Sequence, residues 1–386
     1  MENFDFYNPT RIIFGEGRLN ELDTLVPQDA KVMITYGGQS AVKFGTIDKV
    51  KAALGKRSII EFGGIGANPA YETLEQGVQL AKQESVDFLL AVGGGSVMDG
   101  TKFIALAMNH EGDDYQALLF NGFTPAPVKQ ATKVGCVVTL PATGSEANPA
   151  GVITYQAQKY VFMSPLVFPE FSFLDPTLTL TLSTQQVADG VADAFVHVIE
   201  QYLTYPCGAA VQDRMAEGLL LNLIDIGAIT VHDNANIEAR KNFVWAATNA
   251  LNGLIGVGVP QDWSTHMIGH ELTCLHGIAH GRTLAIVLPH LLRVRKEHKR
   301  EKLIQYAERV WGLYEGSGDA RIDLAIDKTE DFFNSLGIQT QLSHYDIDAS
   351  VIEKVTSNLE KIGATQLSET GTLTLEDVKK ILTSAL

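Results

Sequence analysis

Cysteine is scarce in this 386-residue chain, and its three copies, Cys136, Cys207 and Cys274, are odd in number and widely separated. No C-x-x-C pair occurs. That absence argues against a disulfide framework and a thiolate zinc site, and a reducing cytoplasm fits the usage best. Long apolar runs are missing too. The longest weakly polar stretch, residues 244–260, is interrupted by Asn249, Asn252 and glycines, whereas about 20 apolar residues are needed to span a bilayer. It reads as a buried helix, and no membrane partner is expected. The opening MENFDFYNPTRIIFG lacks the apolar core of a signal peptide. Positive charge is in deficit: 30 Lys and Arg against 45 Asp and Glu give −15, which disfavours nucleic acid as a partner.

What is present is ordinary globular material, 45% apolar and 19% charged, in a chain too long for one typical domain. The first part alternates short apolar runs with helical segments. Lys31–Tyr36, Ser58–Phe62, Asp87–Val92 and Lys133–Thr139 read as strands buried on both faces. The Asn68-Pro69 pair reads as a cap and first turn of a helix. Such alternation predicts an α/β, doubly wound parallel sheet. Beyond Asp175-Pro176 the pattern turns helical over 184–204, 208–231, 238–254 and 261–272, then from Glu301 onward. The expected division is a dinucleotide-binding domain over 1–180 and an all-helical metal-binding domain over 181–386. The basic run Arg293–Arg300 reads as a solvated turn and helix start.

Thirty-five glycines and ten histidines are the conspicuous residues. Gly93-Gly94-Gly95-Ser96 follows a strand and opens a helix, and Gly37-Gly38-Gln39-Ser40 sits at an equivalent place. Helix N-termini present free N–H groups and a favourable dipole to anions, and glycine lets a phosphate come close. Neither segment fits G-x-G-x-x-G or the P-loop pattern. A plain strand–helix turn remains the alternative, more so for Gly37-Gly38-Gln39-Ser40 than for the triple glycine. An acid near such a loop would bind a ribose 2′-OH and repel a 2′-phosphate. None follows Gly37, so NADP(H) is electrostatically allowed if adenosine docks there.

Asp193 and His197, four apart in a helical segment, share one face. Alone, the pair reads as a surface hydrogen bond. His266, His270, His276 and His280, however, fall within fifteen residues. One straight helix would set His266 and His280 roughly 21 Å apart, so a shared metal requires the chain to turn back, near Thr273 or Gly277. Buried imidazoles without partners are costly, which favours a metal site. One carboxylate with three imidazoles suits Zn(II) or Fe(II), and spacing alone leaves open both the ion and the histidine left out. The order of residues is not H-E-x-x-H.

Four segments, GGGSVMDGTKFIA (93–105), TLPATGSEAN (139–148), GVADAFVHVIEQY (190–202) and GLIGVGVPQDWSTHMIGHELTCLHGIAHG (253–281), together resemble the iron-containing (group III) alcohol dehydrogenases. The nearest branch is the NADPH-dependent aldehyde reductase/butanol dehydrogenase type, and the likeness runs nearly end to end. The resemblance implies a dehydroquinate synthase-like fold and hydride transfer between NADP(H) and aldehydes or primary alcohols. It implies metal ligation by Asp193, His197, His266 and His280, with iron or zinc as the ion and His270 handling protons. The pyrophosphate would rest on Gly94, Gly95 and Ser96, with Asp99 nearby. Thr139, Leu140, Thr143, Lys159 and Asn68 would line the cofactor, and Gly37, Gly38, Gln39 and Ser40 would surround the ribose. NAD-preferring relatives tend to carry Asp where Gln39 stands. NADP-type relatives often carry a third glycine there, a point at which this chain departs from them. The family is commonly dimeric, and the segment around Arg11–Phe14 could pair across a two-fold axis.

Two other readings compete. A dehydroquinate synthase-type lyase needs clustered basic groups for a phosphorylated, carboxylated substrate, and Lys159 and Arg282 are the only bases near the metal motifs. A non-catalytic nucleotide- or metal-binding sensor is the other.

Overall fold

The computed structural model describes every residue except 113, 121, 123, 125 and 126. Two compact units emerge: Tyr7–Leu182, and Ser183–Leu386 together with Met1–Phe6. The first six residues therefore belong with the helices, where the Glu2 N–H donates to the Gly258 carbonyl at 3.0 Å.

The sheet unit contains β1 (Arg11–Phe14), β2 (Lys31–Tyr36), β3 (Ser58–Phe62), β4 (Phe88–Gly94), β5 (Lys133–Leu140), β6 (Ala150–Tyr155), β7 (Gln158–Met163) and β8 (Phe171–Leu174). Its helices are α1 (Leu22–Leu25), α2 (Ser40–Lys43), α3 (Thr46–Leu54), α4 (Tyr71–Gln83) and α5 (Gly95–Ala107). Six strands form one parallel sheet in the order β1-β8-β5-β4-β2-β3. Burial explains the run-like sequence of its centre: Phe88 through Gly93 are all buried, as expected for a strand covered on both faces. One face packs Val32, Ile34, Leu90, Val92 and Phe173 against Leu22, Val50 and Leu54. The chain leaves β2 for β3 on one side and returns to β4 on the other. That reversal opens a crevice at the carboxyl ends of β2 and β4, the usual ligand position in such sheets.

Two features depart from the sequence reading. The antiparallel hairpin β6–β7 and the four-residue β8 lie where the sequence shows no strand signal. Asn68-Pro69 does not begin a helix. Asn68 adopts a left-handed φ of 57°, which asparagine tolerates better than most residues, and the Pro69 carbonyl accepts from the Thr154 N–H of β6 at 2.8 Å. Helix α4 starts only at Tyr71.

The second unit contains α6 (Thr184–Tyr202), α7 (Ala210–His232), α8 (Ile237–Ala250), α9 (Ser264–His276), α10 (His280–Val294), α11 (Arg300–Arg309), α12 (Gly318–Ser335), α13 (Ser350–Lys361) and α14 (Leu375–Ser384). It is not purely helical, because β9 (Gln366–Leu367) and β10 (Leu373–Thr374) make a short antiparallel pair. Nor is the basic run 293–300 uniformly solvated. Arg295 is buried and donates to the Thr372 hydroxyl at 2.6 Å. Lys299 is buried against Asp262 at 2.8 Å, Glu369 at 3.1 Å and the Leu203 carbonyl at 2.6 Å. Helix α6 is started by a full capping box, Ser183 with Gln186, which satisfies otherwise orphaned amides reciprocally.

The end of the first strand–helix layer depends on one buried cation. Arg57 donates to the carbonyls of Pro27 (2.9 Å), Leu54 (2.6 Å), Asp23 (2.7 Å) and Val26 (2.6 Å). Arg57→Ala strands these acceptors and should lower stability by about 3 kcal/mol or more, read as a lower urea midpoint with unchanged metal content.

Candidate metal centre

Helix α6 carries Asp193, His197 and Glu200 at i, i+4 and i+7, so one face holds all three. Helix α9 supplies His266 and His270. It stops at His276 because Gly277 takes a left-handed φ of 69° and donates to the Thr273 carbonyl at 2.9 Å, a common helix ending. Helix α10 then begins at His280. The turn brings the His266 and His280 rings to 5.1 Å between centroids.

Close approach of α10 to α6 sets the position of His280. A Cβ on Gly281 would overlap the Asp189 carbonyl oxygen, and Arg282 Nε donates to Asp189 Oδ1 at 2.8 Å. Asp189 lies one turn before Asp193, so His280 arrives beside that carboxylate. Asp193 Oδ1 lies 3.7 Å from His280 Nε2, 3.8 Å from His266 Nε2 and 3.7 Å from His197 Nδ1. One ligand atom each from Asp193, His266 and His280 falls within 4.8 Å of the others. His197 flanks this trio, its Nε2 3.0 Å from His266 Nε2 and its ring stacked on that of His266 at 4.6 Å. His270 stands beside them, 4.9 Å from His280 and 5.9 Å from His266 between ring centroids.

The donor set fits a divalent ion. Two atoms each about 2.1 Å from a common ion lie about 3.0 Å apart at a right angle and about 3.4 Å apart at a tetrahedral angle. Asp193 Oδ1 stands 3.7 Å from His280 Nε2 and 3.8 Å from His266 Nε2, a few tenths of an ångström beyond the tetrahedral value, while His197 turns Nδ1 to Asp193 and Nε2 to His266. Asp193 Oδ1 and His197 Nδ1 are buried without a hydrogen-bond partner, a costly state for a carboxylate oxygen that a cation relieves. Burial lowers the His197 pKa to about 4, keeping its imidazole in the neutral, ligating form.

Glu200 escaped the sequence reading, although its place on the Asp193–His197 stripe was visible. Its Oε1 accepts the His266 N–H at 3.1 Å and its Oε2 is in close contact with His266 Nδ1. Burial, with the neighbouring Asp262 charge, raises its carboxyl well above the usual range.

In the sheet unit the glycine segments occupy the crevice ends. Gly37 and Gly38 follow β2, Gln39 precedes α2 and Ser40 opens it. Gly94 pairs with Leu140, and Gly95, the first residue of α5, would collide through a Cβ with the Thr143 side chain. Gly94, Gly95, Leu140 and Thr143 thus come together, with Ser96 in the first turn of α5 and Thr139 at the end of β5. No side chain caps α5, so its leading amides are available to an anion. Asp99 is engaged elsewhere: its carboxylate accepts from the Ser145 hydroxyl at 2.6 Å and the Val152 N–H at 3.0 Å. It fastens the turn after β5 and the start of the hairpin, and burial raises its pKa. Lys159, on β7 opposite Thr154, adds an attractive charge to Asp99. Lys102, also passed over, is fully buried against Ser145 (2.9 Å) and the carbonyls of Asn148 and Ala150 (2.8 Å each). Burial lowers its pKa to about 8.

Two family models cover nearly all of the chain. The iron-containing alcohol dehydrogenase model matches residues 9–176, and the C-terminal model of the Fe-containing alcohol dehydrogenase family matches residues 187–386. The chain belongs to the iron-containing alcohol dehydrogenase family. It is 52% identical to the NADPH-dependent aldehyde reductase YqhD of Escherichia coli over 388 residues, covering 100% of both chains. It is 40% identical to NADP-dependent alcohol dehydrogenase 3 of Entamoeba histolytica, covering 93% of this chain and 94% of the other. The crystal structure of E. coli YqhD superposes with a TM-score of 0.97 at 51% identity, over 100% of this chain and 99% of that one.

Within this family member, the donor set of the centre suits a hard-to-borderline cation, and the uncapped start of α5 beside the sheet crevice suits an anion. Gly281→Ala should push α10 off α6 and separate His280 from Asp193. The expected readouts are a loss of bound metal and overpacking worth about 1–3 kcal/mol, measured by elemental analysis and thermal unfolding.

Proposed function

We propose that this protein reduces aldehydes to primary alcohols with NADPH, and runs the reverse oxidation, using a divalent ion held by Asp193, His197, His266 and His280. The observation that carries this reading is the convergence of Asp193, His266 and His280 on one point, in a chain half identical to an NADPH-dependent aldehyde reductase. The bound ion, Fe(II) or Zn(II), supplies Lewis-acid polarisation of the substrate oxygen.

The chain's own groups do the rest. Amides of Gly94, Gly95 and Ser96 at the start of α5 cradle the pyrophosphate. Gly37, Gly38, Gln39 and Ser40 surround the ribose, where Gln39 can donate to a 2′-phosphate that an acid would repel. Thr139, Leu140, Thr143, Lys159 and Asn68 line the cofactor, and Asp99 keeps that wall in place. His270 passes a proton between the centre and solvent, since imidazole titrates near neutrality. The balance is aldehyde plus NADPH plus a proton giving alcohol plus NADP⁺.

The lyase alternative lacks support at the centre: Arg282, two residues after His280, is committed to Asp189 at 2.8 Å. We place the protein in the cytoplasm, a reducing compartment that suits its three free cysteines. We assign it a homodimer through β1, which is at the end of the strand order and pairs with β8.

Purified protein should consume NADPH with butanal and other short aldehydes, lose turnover on chelation, and regain it with Fe(II) or Zn(II). Absence of turnover with metal and NADPH both bound would favour a sensor. Gln39→Asp should cut kcat/KM for NADPH relative to NADH by about tenfold, or ~1.4 kcal/mol; an unchanged ratio removes Gln39 from cofactor choice.

A further inference from the structure

We infer that Glu200 is a positioning residue for the metal centre, fixing the tautomer and orientation of His266. The inference rests on the metal-centre reading above. An imidazole can offer its Nε2 lone pair only when its proton resides on Nδ1, and the partner of Nδ1 decides that. Glu200 Oε2 is that partner. A cation at Nε2 would require the ring proton on Nδ1, donated to an ionised Glu200 and offsetting the cost that burial puts on that charge; Nε2 then keeps its lone pair on the side of Asp193 Oδ1, 3.8 Å away.

Glu200 is itself held rigidly. Its Oε1 accepts the backbone N–H of His266 at 3.1 Å. Its carbonyl accepts the Asp262 N–H at 2.8 Å. Asp262 Oδ1 in turn accepts the Ser264 N–H at 3.0 Å, at the start of α9. Glu200 lines a small pocket together with Asp262, Lys299, Leu203 and Leu288, and Lys299 ties Asp262 to Glu369. The side chain is buried, so solvent does not compete for Nδ1. Because Asp193, His197 and Glu200 share α6, one helix contributes two ligands and the group that aims a third.

A second role could explain the same contacts: a carboxylate at the N-terminus of α9 also stabilises that helix. Glu200→Gln separates the two. The amide oxygen still accepts the His266 N–H, but its NH₂ donates to Nδ1 and selects the tautomer with a proton on Nε2. Zn(II) affinity, measured by competition with a chromogenic chelator, should fall about 10–100-fold, while the metal-free thermal midpoint moves little. Glu200→Asp, which keeps a carboxylate, should retain more affinity than Gln. In a His266→Ala background, Glu200→Gln should cost no further affinity.

Wild-type affinity in Glu200→Gln would overturn the inference while leaving the metal centre standing. So would equal losses for Gln and Asp that track a matching drop in the metal-free midpoint. If Glu200→Gln fails to fold, Glu200→Asp decides the matter: an affinity loss that is undiminished when Glu200→Asp is made in a His266→Ala background overturns the inference. Wild-type protein that takes up no Zn(II) would sink the metal-centre reading itself.

Discussion

Helix α10 can lie against α6 only because residue 281 has no side chain. The Asp189 carbonyl oxygen occupies the space a Cβ would need, and the Arg282–Asp189 pair clamps the contact from the next residue. Everything at the metal centre inherits its geometry from that approach. With α10 further away, His280 would no longer face Asp193, and the trio would lose one of its two nitrogen donors. A packed interior transmits such a displacement because it has little free volume to absorb it.

The centre has a second constraint of a different kind. Asp193, His197 and Glu200 are fixed relative to one another by helix geometry, since α6 is one uninterrupted element of 19 residues begun by a capping box. The other histidines reach it from α9 and α10, which turn at Gly277. A rigid rail meets a folded hairpin of helices, and the precision of the site is that of their packing.

Much of this was legible in the chain. Lys31–Tyr36 is a strand at the bounds its apolar run implies, because a strand covered on both faces leaves an unbroken signal; Ser58–Phe62 keeps its bounds too, but as the last strand of the sheet it is half-buried to exposed, not covered on both faces. The hairpin β6–β7 is mostly half-buried, and its mixed composition leaves no such run. Asn68-Pro69 looks like a cap locally, yet pairing of that segment with Thr154 of the hairpin decides its conformation. Lys299 belongs to a basic run that reads as solvated, and only the distant Asp262 and Glu369 make it interior. Four-residue spacing located the histidine neighbourhood and required a turn. It could not tell that Asp193, His266 and His280 gather most tightly with His197 at their flank, because that depends on the α6–α10 contact. Glu200 looked like one more helical acid, since its meaning comes from a histidine 66 positions away.

The pairing of β1 with β8 joins residues 11–14 to residues 171–174. The sheet therefore closes only when nearly the whole of its unit has been synthesised, the slow, long-range kind of pairing. Every side chain proposed to hold the ion, from Asp193 onward, is translated later still. On a ribosome that adds residues from the N-terminus and lets domains form as units, the sheet crevice precedes the cluster of Asp193, His266 and His280. The ion would act on the maturation of the helices, with no part in building the sheet.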